Sequence, residues 1–121
     1  PIFAFAGKVD GIFIPNDSVI QSAMTTVTEV ARDKKIPVYG SSKAMVLSGA
    51  FATVAISDTK IGKLTAQMGL KYLKDGTAVK DIPSVVVPAE ETVINQNTLD
   101  ALGVTVPDDI KNSAIIVNDA E

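Results

Sequence analysis

Two short polar segments of this chain contain residue types that could bind a small molecule. They are Asn16-Asp17-Ser18 and Gly40-Ser41-Ser42, and each stands between an apolar run and a helical pattern. Side-chain oxygens and the free N–H groups at a helix start can together hold a carboxylate without a fully formed positive charge. The same residue types also cap helices, which is worth about 1 kcal/mol for each cap. Ligand binding and plain capping therefore both remain open for these segments.

A third polar pair, Ser57-Asp58, follows another apolar run and has the same two interpretations. An aspartate there caps a helix or accepts hydrogen bonds from the ammonium group of a ligand. The adjacent carboxylates Glu90-Glu91 and Asp108-Asp109 differ, because neighbouring residues on a strand point to opposite faces. They do not converge for acid–base chemistry, and we interpret them as solvated loop charges.

The composition excludes several classes of site. The 121 residues include no Cys and no His, so a thiol nucleophile, a His-based triad and most zinc sites cannot come from this chain. Neither GxGxxG nor GxxxxGKS/T occurs, so a dinucleotide or P-loop site has no support. The net charge of −3 and the few aromatic residues argue against nucleic acid as a partner. We expect no enzymatic activity, no cofactor and no metal.

The elements that would position the polar segments alternate along the chain. Apolar runs predict strands at residues 11–14, 36–39, 51–56, 84–87 and 91–95. The first of these strands is typical of one buried on both faces of a parallel sheet. Apolar residues at i, i+3, i+4 and i+7 predict one helix over Ser18–Lys34, and further patterns predict helices at Lys43–Ser48, Asp58–Asp75 and Asn97–Leu102.

The resulting order, β-α-β-α-β-α-β-β-α, predicts a single α/β domain over residues 1–121 with a mostly parallel, doubly wound sheet. In such a sheet the segments that follow parallel strands meet outside the carboxyl ends of those strands. We therefore expect the polar segments at 16–18 and 40–42 to lie at one edge. Gly62 and Gly69 stand seven residues apart on the Asp58–Asp75 helix. Since each costs about 1 kcal/mol relative to alanine, they predict close packing against a neighbouring element.

Four segments resemble the ABC-transporter substrate-binding protein family, which includes tryptophan- and phenylalanine-binding lipoproteins. The segments are KVDGIFIPNDSVIQSAM, KKIPVYGSS, GAFATVAISDTKIGKLTAQMGLKYLKDG and ETVINQNTLDALGVTVPDDI, within residues 7–112. The resemblance implies a type I periplasmic-binding-protein fold, in which two α/β lobes close on a small ligand and deliver it to a membrane permease. It also implies an extracytoplasmic location, in the periplasm or as a lipoprotein on the outer face of the membrane. On this resemblance, we expect the chain to be the carboxy-terminal portion of a two-lobed protein.

The resemblance also implies which residues contact the ligand, because the loops after the strands of each lobe line the cleft in that family. In this chain those positions are Asn16, Asp17, Ser18, Ser41, Ser42, Ser57 and Asp58. The implied ligand is a small polar molecule such as an amino acid, and the implied partners are ABC permease subunits. Relatives often have an aromatic residue where this chain has Ile56–Thr59, and its absence argues against specificity for aromatic amino acids.

A chain without the other lobe is expected to self-associate or to exchange elements with a second copy. The surface expected to drive this is one apolar helix stripe, formed by Ile61, Leu64, Met68, Tyr72 and Leu73. No apolar run approaches the roughly 18–20 residues that span a bilayer.

Two alternative functions belong to different classes. The same two-lobed fold serves as the ligand-sensing core of transcription regulators, but no helix-turn-helix is visible in this sequence. A small flavodoxin-like signalling or enzyme domain is the other alternative, although no set of residues here suggests catalysis, and a fold alone does not give a function.

Overall fold

Five short strands form one mixed sheet in the computed structural model, which describes residues 2–120. In spatial order they are β1 (Ile12–Phe13), β2 (Val38–Tyr39), β3 (Ala52–Ala55), β4 (Glu91–Asn95) and β5 (Ile115–Val117). The pairs β1–β2, β2–β3 and β4–β5 are parallel, whereas β3 and β4 are antiparallel. The predicted α/β class with a mostly parallel sheet is therefore confirmed.

Helices connect these strands within the described residues. They are α1 (Ser18–Ser22), α2 (Met24–Asp33), α3 (Lys43–Leu47), α4 (Asp58–Leu73), α5 (Gln96–Leu102) and α6 (Asp108–Ser113). Short 3-10 helices occupy Ile2–Phe5 and Val79–Asp81. The predicted helices at residues 43–48, 58–75 and 97–102 are confirmed to within two residues at each end.

The chain divides into two compact units, one of Pro1–Ala55 with Glu91–Glu121 and one of Ile56–Glu90. The first unit contains two apolar clusters, which use opposite faces of β4. Val93 packs with Met24 of α2 and Met45 of α3, all fully buried. Ile94, the next residue, packs instead with Leu99 of α5. Because successive strand residues face opposite sides, helices pack against both faces of the sheet, as a doubly wound sheet requires.

The second unit consists of α4 and the segment that follows it. None of its residues is fully buried. Residues of α4 and of Ser84–Val87 line an apolar hollow of about 380 Å³ within this unit. Lys60 Nζ lies 2.8 Å from Glu90 Oε2 and forms an exposed ion pair.

The prediction of one continuous helix over Ser18–Lys34 is wrong, since the helix breaks at Ala23. Ala23 leaves helical dihedral angles at φ −105° and ψ 8°, and its N–H donates to Ile20 O, three residues back, at 3.0 Å. The Ser22 hydroxyl donates to Val19 O at 2.7 Å. Serine competes in this way for the carbonyls on which a helix interior depends.

Two predictions about strands are also wrong. Residues 84–87 form no strand: Val86 is 91% exposed, and Pro83 and Pro88 on either side have no N–H to give a sheet. The strand predicted at residues 11–14 is not buried on both faces, because β1 is an edge strand and Phe13 is 67% exposed. Beyond Pro107, where no element was predicted, the chain forms α6 and then β5, which completes the sheet beside β4.

Gly62 and Gly69 lie on α4 as predicted, but the structure shows no neighbour that needs them. A Cβ added at either position would meet no atom within 4 Å among the described residues. Within this chain, their helix face is therefore open.

Candidate functional site

The Asn16–Ser18 segment lies between β1 and α1 and is exposed throughout. Asp17 is the N-cap of α1, with an extended backbone, and its Oδ1 accepts a hydrogen bond from Ile20 N at 2.9 Å. One carboxylate oxygen thus satisfies a helix-start donor. The other oxygen has no hydrogen-bond partner in the described part of the chain, so the capping role leaves half of this carboxylate available to a ligand.

The segment after β2 is packed more closely. Gly40 is buried, and a Cβ added there would lie 2.8 Å from Met45 Cβ, so this position accepts glycine alone without rearrangement. Ser41 is half-buried, with its Oγ 3.7 Å from Met45 Sδ. Ser42 is the N-cap of α3, and its Oγ accepts from Met45 N at 3.4 Å. Both serines are therefore fixed by one turn of helix.

The pairing of β1 with β2 brings these two segments to one edge of the sheet. Phe13 is the parallel partner of Tyr39, so the two strands end side by side. One polar segment begins at Asn16, three residues after Phe13, and the serines of the other begin at Ser41, two residues after Tyr39. Five of the predicted site residues thus share the carboxyl edge, the usual place for a ligand in an open α/β sheet.

The remaining predicted residues, Ser57 and Asp58, belong to the second unit. Ser57 is the N-cap of α4, and its Oγ accepts from Lys60 N at 3.4 Å. Asp58 lies in the first turn of α4, where a negative charge complements the helix dipole, and it is exposed. Both residues therefore stabilise the start of α4.

A concave surface of about 470 Å³ opens beside Ser41 on the first unit. Aromatic and hydroxyl groups meet along it; it is lined by Phe13, Tyr39, Gly40, Ser41, Ala52, Thr53, Val54 and Thr92. Among the predicted site residues, Ser41 alone lines this surface. The other lining positions follow from the strand register, because Phe13 pairs with Tyr39 and Val54 with Thr92.

A second, apolar pocket of about 310 Å³ lies on the same unit and shares Tyr39, Ala52 and Thr92 with the first. Tyr39 and Phe51 meet edge to face in its wall, with ring centroids 5.6 Å apart. It contains none of the predicted site residues. Apolar lining of this kind accepts hydrocarbon or aromatic groups rather than charged ones.

Among the described residues, one carboxyl group has a shifted pKa. It belongs to Asp119, which pairs with Arg32 in the last turn of α2, at the opposite end of the helices from the polar segments. The hydrogen bond from Arg32 lowers the pKa of Asp119 below its ordinary value of 3.8, assisted by a bond from Asn95 and opposed by partial burial. Within residues 2–120, no cluster of three or more carboxylates is arranged to hold a metal ion. The same range includes no helix long and apolar enough to cross a membrane.

Relatives of known identity share this architecture. A tyrosine-binding protein of Clostridioides difficile (strain R20291) is 37% identical over 101 residues, which are 84% of this chain and 29% of that protein. A ligand-free, open structure of a substrate-binding protein with adhesive properties from Clostridium difficile superposes with a TM-score of 0.82 and 30% identity. It is matched over 98% of this chain and 39% of its own.

An ABC domain from Streptococcus pneumoniae in complex with L-Trp superposes with a TM-score of 0.81 and 32% identity, over 96% of this chain and 39% of that one. This chain thus spans between 29% and 39% of the length of these relatives. The sequence model of ABC transporter substrate-binding proteins matches residues 2–118. The chain belongs to the ABC transporter substrate-binding protein family, as the resemblance in residues 7–112 predicted.

Proposed function

We propose that this chain forms one lobe of a non-enzymatic solute-binding component of an ABC import system. Its polar segments would bind a small polar ligand such as an amino acid at the carboxyl edge of the sheet. The observation that supports this most directly is the parallel pairing of β1 with β2, which sets Asn16–Ser18 beside Ser41-Ser42. Family membership adds the expectation that a ligand is held there and passed to permease subunits.

The chemistry of this edge suits a zwitterion. The free oxygen of Asp17 accepts hydrogen bonds from an ammonium group, whereas the serine hydroxyls donate to a carboxylate. A carboxylate placed directly beside Asp17 would be repelled, so we assign Asp17 to the ammonium group and Ser18 to the anion. Ser57 and Asp58, at the start of α4 in the second unit, stay a separate prediction from the family resemblance.

Tyrosine and tryptophan are the first ligands to test, since two relatives bind these amino acids by name. The segment Ile56–Thr59 has no aromatic residue to stack on such a ligand. We therefore expect weaker binding of aromatic amino acids than in relatives that have an aromatic residue there.

Calorimetric titration of an intact two-lobed protein that contains this chain, with each of the twenty amino acids, tests the proposal. We expect at least one to bind, and Asn16→Ala or Ser41→Ala to weaken it about tenfold, as loss of a hydrogen bond to a charged group does. Asn112→Ala and Ser113→Ala, on exposed positions of α6, are the matched controls and should leave affinity unchanged. Binding that is insensitive to both site substitutions would reject this location, and no binding at millimolar concentration would reject the function.

We further propose that the chain acts outside the cytoplasm, where proteins of this family bind their solutes, and that the 121-residue chain self-associates. On α4, Leu73 is 80% exposed and Tyr72 is also exposed. Burying side chains of this size contributes about 1.5–3 kcal/mol each. Light scattering should show an average molar mass that rises with protein concentration. The rise should be smaller for Leu73→Lys. A compact monomer throughout would contradict self-association.

A further inference from the structure

We propose that Arg32 is a positioning residue for the polar segments at the carboxyl edge. This inference rests on the proposed function, because it concerns the site that would bind the ligand. Arg32 lies in the last turn of α2 and is largely buried, with 20% of its side chain exposed. Its side chain contacts three separate parts of the first unit, at Thr98, at Asp119 and at Gly49, which follows the helix that Ser42 begins.

All three nitrogens of the Arg32 guanidinium donate hydrogen bonds. Nε donates to Thr98 Oγ1 at 2.9 Å, and Nη2 contacts the same hydroxyl. Nη1 and Nη2 donate to the two carboxylate oxygens of Asp119 at 2.8 and 2.7 Å. Nη2 also lies 3.2 Å from Gly49 O. A planar fork that is bound on several sides fixes its partners in orientation as well as in distance.

Gly49 is the contact that links Arg32 to α3. It follows the C-terminal end of α3 with φ +101°, and an added Cβ would lie 2.5 Å from Thr28 Oγ1 and 2.9 Å from Arg32 Nη2. The Thr28 hydroxyl is 3.0 Å from Ser48 O. The second half of α2 and the residues that end α3 are therefore in direct contact here. A side chain at position 49 would force them apart.

The position of this contact fixes the position of Ser42. Ser42 and Gly49 stand at opposite ends of α3, seven residues or about 10 Å apart along one helix. Since a single short helix moves as a rigid element, a shift at Gly49 is transmitted to the Ser41-Ser42 segment. Asp17 lies at the far end of α1–α2, across the break at Ala23, so we expect a smaller effect there.

The sheet and the C-terminal segment hold the same group of residues from the other side. Asn95 of β4 is fully buried, and its Nδ2 donates to Val46 O of α3 and to Asp119 Oδ1, both at 2.8 Å. Asn95 Oδ1 accepts from Thr98 N at 2.9 Å. The Ala120 N–H donates to Leu47 O at 2.9 Å. Thus α3 is tied at its C-terminal end to α2, to β4 and to residues 119–120 at once.

Hydrogen exchange of the ligand-free chain tests this inference. In Arg32→Gln, which removes the charge and the fork, the amides of Ser42–Val46 should exchange about tenfold faster under conditions where the chain remains folded. Arg32→Lys keeps the charge but not the fork, and should give an intermediate rate. Glu90→Gln is the control, because it breaks the exposed Lys60–Glu90 pair of the other unit and should change nothing at Ser42–Val46.

Unchanged exchange at Ser42–Val46 in Arg32→Gln, with a lowered melting temperature, would overturn the inference and leave Arg32 a merely stabilising residue. If Arg32→Gln does not fold, Asp119→Ala gives the same test, since it removes only the C-terminal partner of the fork. Because exchange is measured without ligand, failure to bind any amino acid would reject the proposed function independently. Where the chain does bind one, Arg32→Gln should weaken it and Glu90→Gln should not.

Discussion

Ala55, the last residue of β3, is the antiparallel partner of Glu91, the first residue of β4. The 35 residues between them form the second unit and contribute no fully buried side chain. The register continues inward from this pair through Val54–Thr92, Thr53–Val93 and Ala52–Ile94. The sheet is therefore continuous across the point where the chain departs and returns, and both apolar clusters belong to the first unit.

Replacing residues 56–90 by a two-residue Asn-Gly turn should leave the first unit folded. Such a turn matches the twist of an antiparallel pair, and shortening the loop lowers the entropy of the unfolded chain. We expect a cooperative thermal transition, followed by circular dichroism, and retained protection of the Val93 and Ile94 amides. Loss of cooperativity would mean that the second unit contributes to the stability of the first.

Thr53 is the buried side chain with an unsatisfied hydroxyl among the described residues. Its Oγ1 has no hydrogen-bond partner, although the residue is 5% exposed. Thr53→Val should raise the free energy of unfolding by about 1–3 kcal/mol, because it removes an uncompensated polar group. Thr98→Val is the matched control: that hydroxyl is 2.8 Å from Gly49 O, so its removal should destabilise. A destabilised Thr53→Val would show that the hydroxyl has a partner in solution, such as water.

Stability should fall in acid through the Arg32–Asp119 pair. Arg32 lowers the pKa of Asp119 in the folded chain, so the contribution is complete well above the ordinary value of 3.8, which applies to the unfolded chain. It is lost as pH falls from about 4 through the lowered folded value. The difference in unfolding free energy between wild type and Asp119→Asn should be constant from about pH 5 to 7 and should shrink below about 4. A difference that persists at the lowest pH would exclude ionisation of Asp119 as its source.

Local features of the fold were predictable from the sequence. A serine or aspartate before a helical pattern caps the helix by accepting a hydrogen bond from a backbone N–H a few residues later. Because this signal is local, the predicted starts of three helices are correct: those of α1, α3 and α4, at Asp17, Ser42 and Ser57. Alternation of strands and helices likewise predicted the parallel pairing of β1 and β2. That pairing brings five predicted site residues to one edge.

Features that depend on distant partners were not predictable in the same way. The strand predicted at residues 84–87 concealed the direct pairing of β3 with β4, so the surface lined by Thr92 was missed. Arg32 and Asp119 are 87 residues apart, and no local pattern relates them. Ile115–Val117 is too short to indicate a strand until β4 provides its partner.

Substitution of Asp17 separates binding from capping. Asp17→Ala should weaken a zwitterionic amino acid by about 1.5–3 kcal/mol, as loss of a charge-assisted bond does. It should also lower stability by about 1 kcal/mol, since Ile20 N loses its acceptor. Asp17→Ser is the informative partner, because serine caps as well as aspartate but has no charge to offer an ammonium group. It should preserve the melting temperature and still lose affinity.

The ligand provides a second control for the same position. An N-acetylated form of the amino acid that binds has no ammonium group, so its affinity should respond much less to either substitution at Asp17. Calorimetric titration gives the affinities, and thermal unfolding of each variant gives the stabilities. If both variants bind the zwitterion as wild type does while Asp17→Ala alone melts earlier, Asp17 is only the cap of α1. The ammonium group would then lie elsewhere, with Asp58 the next carboxylate to substitute.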